Sequence, residues 1–161
     1  MKSLIAISLA VLIGSAGQAA YAQTEQDPAK FYTEFHGKMR DAKSVLEILP
    51  YMAADKVKQI KSDEATMTKQ QFTGMFEFIK MMSPSKVEIV KTEMKADGDC
   101  LLSLTANGEN DPLFGQMVKD GKMKETTTGT VHLIKEGGNW KIEKESWKSS
   151  ATSIDAPGNA P

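Results

Sequence analysis

The chain has 161 residues, 20 of them basic and 21 acidic, with two histidines and one cysteine, for a formal net charge of −1. So even a balance argues against nucleic acid or an anionic membrane as partner, since both select a basic face. One cysteine rules out an internal disulfide, and the ten methionines supply many soft, adaptable apolar side chains.

Lys2, the apolar run from Leu4 to Ile13 and the small-x-small triplet Ala20-Tyr21-Ala22 form the pattern of a cleavable export signal over residues 1–22, cut after Ala22. That run is shorter than the ~20 residues a bilayer span needs. No later stretch is long and apolar enough to cross, so no membrane insertion is expected after cleavage. Residues 23–148 read as a single domain, large enough to bury about two-thirds of its unfolded surface without staples. The expected location is periplasmic or secreted.

Residues 23–26 are polar. Asp27-Pro28 then predicts a helix start, with Asp as cap and Pro at the first helical position. Phe31, Phe35, Met39, Ala42, Leu46 and Leu49 follow at spacings of three and four, which predicts one continuous helix ended by Pro50. Gly37, inside it, weakens the helix by ~1 kcal/mol relative to Ala. A second, shorter helix is expected over Ala54 to Lys61, with Val57 and Ile60 inward and Ser62-Asp63-Glu64 as a polar break. Thr68 and Gln71 form a capping box for a third helix carrying Phe72, Met75, Phe76, Ile79 and Met82, stopped before Ser83-Pro84.

The pattern then changes to strand. Val87 to Met94 alternates, Asp97-Gly98 signals a turn, and Cys100 to Ala106 returns with Cys100, Leu102, Leu104 and Ala106 on one face. A two-residue turn would set Leu102 opposite Glu93, so a bulge or a longer loop is expected and the register stays open. In 107–125, Asp111-Pro112 repeats the helix-start signal, and Leu113, Phe114, Met117 and Val118 offer one or two turns before Gly121.

The organising stretch is Thr127 to Trp147, two strands joined by Gly137-Gly138, which supply the positive φ angles of a tight hairpin turn. A regular hairpin sets Lys135 opposite Trp140, Leu133 opposite Ile142 and Val131 opposite Lys144. It leaves Thr128, Thr130, His132 and Ile134 on the outer face against Lys141, Glu143, Glu145 and Trp147. From Ser149 onward the chain is small and polar, and 149–161 is expected to be a disordered tail.

Three helices followed by an antiparallel sheet of at least four strands make an α+β fold, with the helices packed on one face of a curved sheet. The final hairpin carries a resemblance. Gly129-Thr130-Val131-His132-Leu133-Ile134-Lys135-Glu136, then Gly138-Asn139-Trp140-Lys141-Ile142 and Trp147, give the pattern G-x-V-x-L-x-K-E-x-G-x-W-K-I. This resembles small exported bacterial members of the nuclear transport factor 2-like, or cystatin-like cone, superfamily. The resemblance implies a cone with a pocket between helices and sheet. That superfamily includes isomerase-like and dehydratase-like enzymes as well as proteins that only bind ligands or dimerise. None of its catalytic motifs falls on residues of this chain.

The chemistry-bearing residues are few. His132 faces Glu143 in a regular hairpin, a possible acid–base element that is more often a cross-strand surface pair. His36 lies one step off the first apolar stripe. Two distant histidines with no cysteine nearby make no metal site. The methionines show no tight cluster of the kind that binds Cu(I), and core filling is their expected role. Cys100 has no basic neighbour in sequence to activate it. No phosphate loop or nucleophile elbow is present, and no cofactor is expected.

The remaining site is the pocket of the cone, with lining candidates Phe35, Met39, Phe76, Ile79, Leu104, Leu133 and Trp140. The reading is a non-enzymatic binding or interaction module holding a small apolar ligand. The alternatives are a pocket enzyme of the isomerase or dehydratase kind, using a buried carboxylate or His132 as base, and a structural homodimer paired through Ile134 and Trp147.

Overall fold

Asp27 sets the first helix: its carboxylate accepts from the backbone N–H of Ala29 at 2.8 Å and of Lys30 at 3.5 Å, and Pro28 follows where no donor is needed. The computed structural model describes residues 26–106 and 115–154. The expected export signal, the Asp111-Pro112 start and residues 155–161 lie outside the described residues. Helix α1 (Pro28–Asp41) buries Phe31, Tyr32, Phe35, His36 and Met39.

The first stripe does not continue as one helix to Leu49. Ala42 is extended, with ψ 136, and two short 3-10 turns follow at Val45–Glu47 and Leu49–Tyr51. Side chains compete for the backbone here. Lys80 Nζ donates to Ala42 O at 2.6 Å, and the Lys43 N–H donates to Glu47 Oε1 at 3.1 Å. The break brings Val45 and Ile48 into the core, whereas Leu46, expected on the stripe, is 50% exposed.

Helix α2 (Ala54–Thr66) runs past its expected end at Lys61 and takes in Ser62, Asp63 and Glu64. None of its residues is fully buried. Its N-terminus is held by the hairpin: the Ala53 N–H donates to Ile142 O at 2.9 Å, and both Glu136 oxygens lie 3.1 Å from Ala54 N. Helix α3 (Lys69–Met82) opens with the expected capping box: the Gln71 N–H donates to Thr68 Oγ1 at 3.3 Å, and the Thr68 N–H donates to Gln71 Oε1 at 3.0 Å. Thr68→Ala is therefore expected to cost about 1 kcal/mol, read as a lower urea midpoint at unchanged slope.

Four antiparallel strands form one open sheet in the order β1 (Val87–Met94), β2 (Cys100–Ala106), β3 (Met123–Glu136) and β4 (Asn139–Ser153), with a short helix α4 (Gly115–Lys119) before β3. Met94 pairs with Cys100, so β1 and β2 are joined by the longer loop, with Gly98 at φ 90. Their ladder also shifts register between Ile89 and Lys91.

In the last hairpin Gly137 and Gly138 take φ 58 and 82, the two positive angles of a type I′ turn, and Leu133 pairs with Ile142 as expected. Past that pair the register departs from a regular hairpin. His132 pairs with Lys144 and Val131 with Glu145, because Glu143 is an extra residue on β4, a β-bulge. Strand side chains alternate with period two, so one inserted residue exchanges the faces of everything beyond it. Glu145 and Trp147, expected outside, therefore turn toward the helices.

β4 also continues to Ser153, so 149–153 is strand and not part of a disordered tail. β3 begins at Met123, early enough to pair with it residue by residue, and Thr127 Oγ1 lies 2.8 Å from Ser149 Oγ. The core lies between Phe31, Tyr32, Phe35, Met39, Phe72 and Phe76 on the helices and Cys100, Leu102, Leu104, Val131, Leu133, Trp140 and Ile142 on the sheet.

Candidate functional site

Between α2, α3 and β4 the core opens into a chamber of about 400 Å³. That volume suits a small molecule, for which sites of ~300–1,000 Å³ are usual. α1 supplies Phe35 and Met39, α3 supplies Met75, Phe76 and Ile79, and β4 supplies Ile142, Glu145 and Trp147. α2 closes one side with Ile60 and brings Lys56, Gln59 and Asp63.

Four of the seven lining candidates, Phe35, Met39, Phe76 and Ile79, stand on the chamber wall. Leu104, Leu133 and Trp140 do not; they are packed in the core at 1%, 0% and 2% exposure. Trp140 lies under the start of α1, where its Nε1–H donates to Gln26 O at 2.7 Å and Lys135 Nζ sits 4.7 Å above the ring.

The polar feature of the chamber is a carboxyl that a regular hairpin would have put in solvent. Tyr32 OH donates to Glu145 Oε1 at 3.0 Å, and Trp147 Nε1–H donates to the same oxygen at 2.6 Å. Burial pushes the Glu145 carboxyl above the usual glutamate range, and the two donated hydrogen bonds pull the other way. Tyr32 is completely buried, and that burial together with the neighbouring carboxylate raises its phenol far above the usual range. Tyr32 is thus a fixed donor. The Trp147 ring lies across Gly129, where an added Cβ would stand 2.7 Å from ring atoms Cε3 and Cζ3. The strand alternation carried one signal for this arrangement. A regular register puts Lys144, Ser146 and Lys148 inward and Trp147 outward, the reverse of what burial favours.

His132 belongs to the other side of the sheet. Its Nδ1 is 2.5 Å from Glu143 Oε2, and its Nε2 is 3.1 Å from Asp99 Oδ2 without the alignment of a hydrogen bond. The His132–Glu143 pair expected from a regular register forms although the register differs, because the bulge keeps both Glu143 and Lys144 outside. The two carboxylates flank opposite ring nitrogens, and among the described residues no group of three His, Cys, Asp or Glu side chains converges as a metal site. A larger trough of about 660 Å³ crosses this outer face, lined largely by hydroxyl and lysine side chains such as Ser103, Thr130, Lys144 and Lys148. It is the solvated face of the sheet, and it lacks the apolar walls around a half-buried carboxyl that mark the chamber.

Cys100 is fully buried and burial pushes its thiol up, so it is a poor nucleophile. His36 is also buried, and burial lowers its pKa; its Nε2–H donates to Pro84 O at 3.0 Å. Its neutral form is therefore native. Above about pH 6.5 the imidazole is neutral in both folded and unfolded chains, and below it the unfolded chain takes the proton first. Stability is expected to fall from about pH 6.5 downward until folded His36 titrates. Glu145 acts with opposite sign: its raised pKa adds stability at low pH, lost as pH rises through the folded value. His36→Gln, which keeps a donor toward Pro84, should flatten the decline just below pH 6.5 in thermal melts.

Compared with protein-family models, with characterised proteins and with solved structures, the chain finds no match.

Proposed function

We propose that the chain is a non-enzymatic binding module, exported by the signal in residues 1–22, that holds one small apolar ligand in the chamber between helices and sheet. The observation that carries this reading is the single pre-oriented carboxyl of Glu145 among apolar walls of Phe, Met and Ile side chains. An apolar cavity with a few fixed polar groups is the usual composition of a small-ligand site. The nuclear transport factor 2-like resemblance fits it, because that resemblance implies a pocket between helices and sheet. Helix α2 suits the role of a cover, having no fully buried residue and a fixed N-terminal attachment. Native mass spectrometry of protein purified from its own exported fraction is expected to show one bound small molecule per chain. A ligand-free mass, with no uptake of an apolar dye, would sink the reading.

The pocket-enzyme reading also has a specific observation in its favour. An ionisable group perturbed by burial inside a cavity is where an acid–base catalyst is expected, and Glu145 fits that description whereas His132, on the outer face, does not. Chemical change in the bound molecule after incubation with the protein distinguishes the two. The homodimer reading keeps only Ile134 as an outer anchor, since Trp147 faces the chamber.

A further inference from the structure

We propose that the ligand is an amphiphilic amine: an apolar body with one protonated nitrogen that pairs with Glu145. This rests on the chamber being a ligand site and goes further by naming the polar end of the occupant. Both donors available to Glu145, the Tyr32 hydroxyl and the Trp147 indole N–H, go to Oε1. Among the described residues nothing donates to Oε2, and no lysine, arginine or histidine forms an ion pair with this carboxyl. The charged groups that share the chamber wall are Lys56 and Asp63, of opposite sign. The described residues therefore build an anion site's reverse: an acceptor fixed in place and partly desolvated, with no counter-charge among them.

Ligand classes can be ranked against that arrangement. A carboxylate or phosphate would set a second anion beside Glu145, and the one lysine on the wall, Lys56, shares it with Asp63. A carbonyl would meet an acceptor, because the Tyr32 and Trp147 protons are already committed to Oε1. An alcohol supplies a donor for Oε2 but no charge. An ammonium supplies both, as a charge-assisted hydrogen bond beside largely apolar walls. The walls, Phe35, Met39, Met75, Phe76 and Ile79, then take the apolar body.

The test is isothermal titration of the full chain with octylammonium, 1-octanol and octanoate near neutral pH, repeated on Glu145→Gln. Octylammonium is expected to bind at least about tenfold tighter than 1-octanol, the scale of one charge-assisted hydrogen bond. Glu145→Gln keeps the acceptor for Tyr32 and Trp147 and should abolish that advantage. If 1-octanol matches octylammonium, or octanoate is preferred, the amine assignment is overturned and the binding reading survives. If none of the three enters the wild-type chain, the binding reading fails with it. The wild-type ranking decides even should Glu145→Gln not fold.

Discussion

Trp140→Ala is expected to destabilise the domain by about 3–5 kcal/mol in urea unfolding, the largest loss from any single truncation in the hairpin. The indole is 2% exposed and sits where β4 meets the start of α1. Its removal leaves a cavity in the core and strips Gln26 O of its donor. A domain of ordinary stability, ~5–15 kcal/mol, keeps little margin after such a loss. The effect should fall on folding and not on the chamber, because Trp140 is absent from its wall. Octylammonium affinity, measured at low temperature where the variant is folded, is expected to stay within about threefold of wild type. A drop in affinity as large as the drop in stability would contradict the placing of Trp140 off the chamber wall.

Gly129→Ala is the second large effect, and it is unusual in being purely steric. The Gly129 backbone is not in the left-handed region, so alanine suits the strand and would be welcome there in open space. The new methyl, however, would stand 2.7 Å from the Trp147 ring, which must move. Overpacking of this kind costs about 1–3 kcal/mol. Displacing the indole also withdraws its N–H from Glu145, a hydrogen bond worth about 0.5–1.5 kcal/mol. The sum should appear as a lower urea midpoint with red-shifted tryptophan emission. Trp147→Phe in the same chain makes room for the methyl, so a double-mutant cycle should show coupling of about 1–3 kcal/mol. Additive losses would mean that the ring is not held over Gly129.

The parts of the fold that follow from local chemistry were legible in the sequence. The Asp27-Pro28 start, the Thr68–Gln71 capping box and the double glycine each satisfy or free backbone groups within a few residues, so spacing alone reveals them. The break of α1 at Ala42 was not legible, because its cause includes the Lys80 ammonium reaching Ala42 O from another helix. The extension of β4 to Ser153 depended on β3 starting at Met123, a pairing no local composition announces. The candidate site turned on a single residue. Phe35, Met39, Phe76 and Ile79 follow from helical periodicity, whereas Glu145 and Trp147 follow from the bulge at Glu143, which carries no glycine and no positive φ to betray it.

That same bulge bears on how copies of this chain avoid one another. β4 is an open edge, and a long straight edge invites a neighbour's strand to add on, the first step toward fibrous aggregates. Two residues where a regular strand has one break the outward row of amides and carbonyls at Glu143–Lys144, and the Ala53 N–H already occupies Ile142 O beside the break. An approaching strand finds neither a continuous ladder nor a neutral border, since Lys141, Lys144 and Lys148 punctuate it. The residue that gives the interior its carboxyl thus also keeps the rim from sticking.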